Sequence, residues 1–203
     1  MNKGLLRNPD GIIKFTPKCI SSNPPPFSKE LDDCREMLKA AGYLFFKDDV
    51  GSGNVALMEK DGSVIVTASQ TQGKQHLDAN DYVRISNNCD TDSDEVPYEG
   101  VEKPSSEVRT LISMMRARPG IRAVAHVHFD KGWESELLAT KGKYSYGTVG
   151  FAHEAQDIII AQGKDYGIFK TPGHGDGIFS YAPTIRKAYE IMLEFCNRIK
   201  GLT

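Results

Sequence analysis

No apolar run in this sequence exceeds a few residues, Ile158-Ile159-Ile160-Ala161 being typical, whereas a helix needs about 20 to span a bilayer. No basic segment followed by an apolar stretch opens the chain, so a secretory leader is not expected. Cysteine is sparse: Cys19, Cys34, Cys89 and Cys196 are scattered without CxxC spacing. A chain of 203 residues can bury a core without staples, so reduced thiols in a cytoplasmic protein are expected. Neither sign of charge is in surplus. The 25 Lys and Arg against 27 Asp and Glu leave a formal −2, which argues against polyanion binding and hence against nucleic-acid partners. With 39% hydrophobic and 26% charged residues, the composition is that of a globular chain, not of disorder, collagen or coiled coil. At roughly 100–200 residues per domain, one domain is expected.

Residues 1–27 carry Pro9, Pro17 and Pro24-Pro25-Pro26, which remove backbone donors and favour an irregular, extended arm, with room for a short strand at 11–15. The single domain is placed at 28–203. Ser28 offers an N-cap, and Leu31, Cys34, Leu38 and Ala41 follow at helical steps up to Gly42. Strand patterns follow: 55–58 and 64–66 around Asp61-Gly62 form a hairpin, and 82–85 a further strand. Asp90-Thr91-Asp92-Ser93-Asp94-Glu95 imitates half a calcium loop but lacks Gly at its sixth position and Glu at its twelfth, so it reads as an acidic turn. A helix is predicted from Ser105-Ser106-Glu107 to Pro119-Gly120, with Val108, Leu111, Ile112 and Met115 on one face. Residues 123–129 read as a strand, 133–138 as a short helical turn, and 158–161 and 167–169 as buried strands. A last helix begins near Pro183 and carries Ile185, Ala188, Met192, Phe195 and Cys196 on one face.

The chemistry concentrates in Ala123-Val124-Ala125-His126-Val127-His128-Phe129. Alternate residues of a strand share a face, so His126 and His128 point the same way, ~6–7 Å apart at Cα. Two imidazoles so placed can converge on one metal at ~2.0–2.1 Å. The plain alternative is a polar strand face with two solvated histidines. His174, in Thr171-Pro172-Gly173-His174-Gly175-Asp176-Gly177, would complete a three-ligand site with an open position; otherwise it decorates a glycine-rich turn. His76 and His153 lack such a setting and read as surface or structural residues. Ser105 and Ser106, with fresh backbone amides at a helix start, suit an anion. Glu107 is either a helix-stabilising acid or, beside a metal, a general base. Gly51-Ser52-Gly53-Asn54-Val55-Ala56 matches GxGxxA but leads into a hairpin rather than a helix. It is therefore no dinucleotide fingerprint, and suits a turn feeding amides and Asn54 into a pocket.

Taken together, Gly53-Asn54, Thr67-Ala68-Ser69, Lys103-Pro104-Ser105-Ser106-Glu107, Arg118-Pro119, His126-Val127-His128 and His174-Gly175 resemble the class II aldolase/adducin family over about residues 29–200. The resemblance implies a three-layer α/β/α fold with a mostly antiparallel central sheet, and a homotetramer with sites at subunit interfaces. It implies Zn2+ or another divalent transition metal on His126, His128 and His174, with Glu107 as acid/base. Gly53, Asn54, Thr67, Ser105 and Ser106 match positions that hold a substrate phosphate. Two places depart from the family pattern: Ala56 where a hydroxyl residue is usual, and Thr67-Ala68-Ser69-Gln70 where Thr-Pro-Ser/Thr-Gly is usual. Some members take a proton-donating tyrosine from a neighbouring subunit, for which Tyr144 and Tyr146 are candidates here.

The implied activity is a zinc-dependent aldolase cleaving a carbon–carbon bond in a ketose phosphate or related sugar through a metal-stabilised enediolate. A sugar-phosphate 4-epimerase or a dehydratase would use the same constellation, and product analysis separates the three. A non-catalytic adducin-like binding module would have no need to keep three histidines and a glutamate together. No membrane partner is implied.

Overall fold

The computed structural model describes residues 12–47, 50–174 and 176–201. Its central feature is an eight-stranded sheet in the order β1-β7-β6-β5-β4-β8-β10-β9. These strands are β1 (Thr16–Ser21), β4 (Asn54–Met58), β5 (Val64–Thr67), β6 (Tyr82–Ile85), β7 (Glu95–Glu99), β8 (Ala123–His128), β9 (Gly167–Lys170) and β10 (Gly177–Ala182). The edge pair β1–β7 is parallel and every other pairing is antiparallel. A separate ribbon joins β2 (Phe45–Lys47) to β3 (Val50–Ser52).

Four helices cover both faces. Helices α2 (Val108–Arg116) and α3 (Val149–Gln162) bury Val108, Leu111, Ile112, Phe151, Ala155 and Ile159 against Ala56, Val66, Val83, Val124 and Phe179. On the other face, α1 (Lys29–Ala40) and α4 (Ile185–Lys200) bury Leu31, Leu38, Ile185, Met192 and Phe195 against Val55, Ile65, Ala125, Val127 and Ile178. This is the three-layer α/β/α arrangement expected from the sequence. Because β8 is sandwiched, all six of its residues are buried, with Ala123, Ala125 and Val127 facing α1 and α4.

The helix ends follow the chemistry of their caps. Ser28 accepts from Leu31 N at the start of α1, and Gly42 leaves its end at φ +79°. Thr184 caps α4, and Gly201 closes it in the left-handed region.

Several expectations are corrected. Residues 158–161, expected as a buried strand, form the last turn of α3 instead. Thr148 accepts from Phe151 N at its start and Gly163 ends it at φ +66°, so two caps decide a stretch whose short apolar run suits either structure. Within the expected irregular arm 1–27, residues 16–21 form β1, because β7 offers an unpaired edge beside them. β7 itself starts at Glu95, at the end of the expected acidic turn. Of the short strand expected at 11–15, Gly11 lies outside the described residues and 12–15 are not strand, the strand starting at Thr16; the helical turn expected at 133–138 is a 3-10 helix at Asp130–Glu134.

Candidate active site

Strand β8 supplies two histidines to one face, and its neighbours set their surroundings. Asn54 of β4 pairs with His126 on one side, and Phe179 of β10 pairs with it on the other. The Phe179 ring lies flat on the His126 imidazole, centroids 4.1 Å apart and 4° from parallel. Gly177 faces His128 across the β8–β10 ladder. The link from β9 to β10 is short: His174 N donates to Thr171 O at 2.9 Å, and Thr171 Oγ1 donates to Gly177 O at 3.0 Å. This turn carries His174 back over the strand pair. A Cβ at Gly177 would stand 2.9 Å from His174 Cδ2 and 3.2 Å from His126 Nε2, so the glycine is what lets these rings close in.

The three imidazoles meet. One ring nitrogen from each of His126, His128 and His174 lies within 4.8 Å of the others, all three residues being buried. Burial drives His126 and His174 well below the usual imidazole range, and the neighbouring histidines push in the same direction. Both are therefore neutral near pH 7, the form that offers a lone pair to a cation. His128 Nδ1 donates to Asp176 Oδ1 at 2.9 Å. Burial raises the Asp176 carboxyl, but its bonds with His128 and Asp130 outweigh this and hold it below the ordinary carboxylate range. An ionised Asp176 only accepts, which fixes the proton on Nδ1 and leaves Nε2 of His128 as the donor atom for a metal. His126 Nε2 is buried and has no hydrogen-bond partner among the described residues. A buried orphan acceptor among neutral imidazoles fits a divalent cation.

Glu107 joins this cluster. It is 2% exposed, and its Oε1 lies 3.1 Å from His174 Nε2. It stands at the start of α2 as the N-cap, so the helix begins at Val108, later than expected at Ser105. The two serines instead form the approach turn. Ser105 Oγ accepts from Glu107 N at 3.3 Å and from Asn54 Nδ2 at 3.1 Å, tying the turn to β4. Asn54 Nδ2 also lies 3.5 Å from His126 Nδ1, and which end of the carboxamide faces that ring depends on which nitrogen holds the proton. A bridge between Ala68 and Pro104 and a bond from Ser69 N to Lys103 O at 2.9 Å bring residues 69–72 to the same place.

A small, narrow pocket results. It joins His126, His128, His174 and Glu107 to Gly53, Asn54, Ser105 and Ser106, and adds Gly51, Ser69, Gln70 and Gln72. Thr67 stands outside this lining: its Oγ1 accepts from Val55 N at 3.4 Å within the sheet. Gly53 sits at φ +86°, where a Cβ would meet His126 O at 2.7 Å, so it must be glycine. Of the two tyrosines, Tyr146 is buried with its ring 4.6 Å from His174, and its hydroxyl accepts from Ile12 N at 3.0 Å. Tyr144 is half exposed. His76 and His153 are exposed, His153 pairing with Asp92 at 2.9 Å.

Sequence reasoning missed Asp176, Gln70 and Gln72. Asp176 carried a usable signal, two residues past His174 in a glycine-rich turn, and Gln70 ends the Thr67-Ala68-Ser69-Gln70 turn that departs from the family pattern, whereas Gln72 belongs to no motif.

The profile described as "Class II Aldolase and Adducin N-terminal domain" matches residues 36–200. The chain belongs to the class II aldolase/adducin family. Solved structures of this fold are similar to it. YgbL from Escherichia coli, described as a putative aldolase/epimerase/decarboxylase, superposes with TM-score 0.61 at 19% identity, covering 86% of both chains. An L-fuculose 1-phosphate aldolase gives 0.60 at 18% identity over 87% of both chains. A sugar-phosphate aldolase from Thermotoga maritima gives 0.63 at 12% identity, over 85% of this chain and 91% of the other. Comparison with curated proteins gives no match. No described helix of this family member is long and apolar enough to cross a membrane.

Proposed function

We propose that this class II aldolase/adducin family member is a divalent-metal-dependent aldolase. It would cleave, or in reverse form, the carbon–carbon bond of a ketose derived from a sugar. The observation that carries this reading is the meeting of three buried imidazoles, with nitrogens within 4.8 Å, beside a carboxylate 3.1 Å from one of them. His126, His128 and His174 would hold the cation, and three imidazole donors with an open position suit zinc. When bound, the cation supplies Lewis acidity to carbonyl and hydroxyl oxygens of the substrate.

The chain's own residues do the rest. Asp176 holds the tautomer and orientation of His128. Glu107 serves as the acid/base, taking a proton from the substrate carbon in the addition direction and returning it in cleavage. Phe179, packed on His126, and Tyr146, packed on His174, close the apolar side of the site to water. Gly53, Asn54, Ser105 and Ser106 line the remainder and grip the substrate, with Thr67 supporting that wall from within the sheet. By likeness to the family, the working unit is a cytoplasmic homotetramer, which sedimentation equilibrium checks.

Two variants test this reading. His128→Ala should lose both metal and turnover, while Glu107→Gln should keep the metal and lose turnover by about 100-fold or more. Product analysis on a panel of ketoses and their phosphates should show an aldehyde and a shorter ketone. An intact carbon skeleton, or full turnover after the metal is stripped, contradicts the assignment.

A further inference from the structure

The wall made by residues 69–72 and 51–53 has a chemistry of its own. Gln72 is only 7% exposed and lines the pocket. Its Nε2 donates to Gly53 O, which fixes the carboxamide, since the reverse orientation would set two carbonyl oxygens against each other. The oxygen Oε1 is left buried, without a hydrogen-bond partner among the described residues. It fills the space beside Gly51, where any side chain would overlap it.

Two of the neighbouring donors that an anion would use are already engaged. Gly51 N donates to Gln70 Oε1 at 2.9 Å, and Glu107 N to Ser105 Oγ at 3.3 Å. Gln70 reaches Gly51 from a left-handed backbone at φ +64°, the one such non-glycine among the described residues. A conformation of that kind is held only where its surroundings enforce it. Among the described residues, no lysine or arginine lines the pocket.

We propose that the wall at Gln72 accepts an uncharged hydroxyl and excludes a phosphate, so the substrate is a non-phosphorylated ketose or polyhydroxy compound. A buried acceptor without a partner is satisfied by a donor, and a sugar hydroxyl provides one. A phosphate monoester dianion has no proton to give and meets the negative end of the carbonyl dipole. The same polar wall that suits the hydroxyl therefore discriminates strongly against its phosphate ester. This deepens the aldolase reading and rests on it for the reaction, but not for the selectivity of the wall.

Two measurements separate these claims. In calorimetry on the metal-loaded protein at pH 8, glycerol 3-phosphate, a monoester dianion above its second pKa of ~6, should bind Gln72→Ala at least about tenfold more tightly than the wild type. Equal affinity for the two proteins overturns the proposal. In steady-state kinetics, the wild type should favour a ketose over its terminal phosphate ester by about tenfold or more in kcat/KM. Gln72→Ala should shrink that ratio about tenfold. Gln72→Met keeps the volume and removes the acceptor, so it should raise KM for the free ketose about tenfold and shrink the same ratio. This variant carries the test if the alanine variant does not melt cooperatively. A wild-type preference for the phosphate ester overturns the proposal. If neither sugar is turned over, the aldolase reading fails, and the phosphate titration still decides what the wall selects.

Discussion

Gly177→Ala isolates the metal site from the fold. Gly177 opens β10 at the end of the β10–β8 ladder and is not among the glycines at positive φ, so alanine meets no backbone strain. What it meets is the site itself. Its Cβ would stand 2.7 Å from Thr171 Oγ1, 2.9 Å from His174 Cδ2 and 3.2 Å from His126 Nε2, where ordinary contact begins at 3.4 Å. Relief therefore requires the His174 ring to withdraw by about 0.5 Å and the Thr171 hydroxyl by about 0.7 Å. Both belong to the same short turn, which moves them together. Metal–ligand distances tolerate only about ±0.2 Å, so one of three donors is lost or badly stretched. Zinc affinity should fall about 100-fold or more, roughly 3 kcal/mol. Competition against a chromophoric chelator reads this, and thermal melting of the metal-free variant should show a Tm within a few degrees of wild type. Zinc affinity within about threefold of wild type, with the same fold, would refute the reasoning.

Further outcomes follow from particular contacts. Asp176→Asn keeps the shape but loses the charge that orients His128, and should weaken zinc binding about 10- to 100-fold in the same competition assay. Phe179→Ala removes a fully buried ring between His126, Phe151 and Phe169; it should cost about 3–5 kcal/mol in urea unfolding, and a loss under 1 kcal/mol would contradict the packing. Burial pushes the Cys196 thiol from 9.0 up to about 12. A raised folded value stabilises the protein fully below pH 9 and is lost as pH rises toward 12, by at most about 4 kcal/mol. Alkaline unfolding curves should therefore be flatter for Cys196→Ala than for wild type, and unchanged pH dependence would count against this.

The legible parts of this fold are those specified locally. The hairpin at β4–β5 shows itself through Asp61-Gly62, the latter at φ +84°, between two apolar runs. Strand β6 falls at the expected residues. Helix α1 runs between the cap and the glycine that announce it. Within the site, His126 and His128 follow from the period of a strand. His174 joins them only through the pairing of β10 with β8, a nonlocal event that spacing along the chain cannot express. Residues 158–161 misled because four apolar residues fit a strand or a helix equally, and the deciding caps at Thr148 and Gly163 lie outside the run. Ser105 and Ser106 look like a helix start, yet the Ser105 hydroxyl is spent on Glu107 N and Asn54, which delays the helix and aims Glu107 at His174. Gln72 is invisible to any pattern, since its role comes from one bond to Gly53 O across the pocket.

The central claim, that three imidazoles and one carboxylate form a metal-dependent lyase centre, is tested most directly by anomalous diffraction at the zinc edge on crystals equilibrated with zinc. A single peak is predicted at ~2.0–2.1 Å from one nitrogen each of His126, His128 and His174, on the Glu107 side of the cluster. No peak there, or a peak bound elsewhere with the three rings bare, would contradict the account.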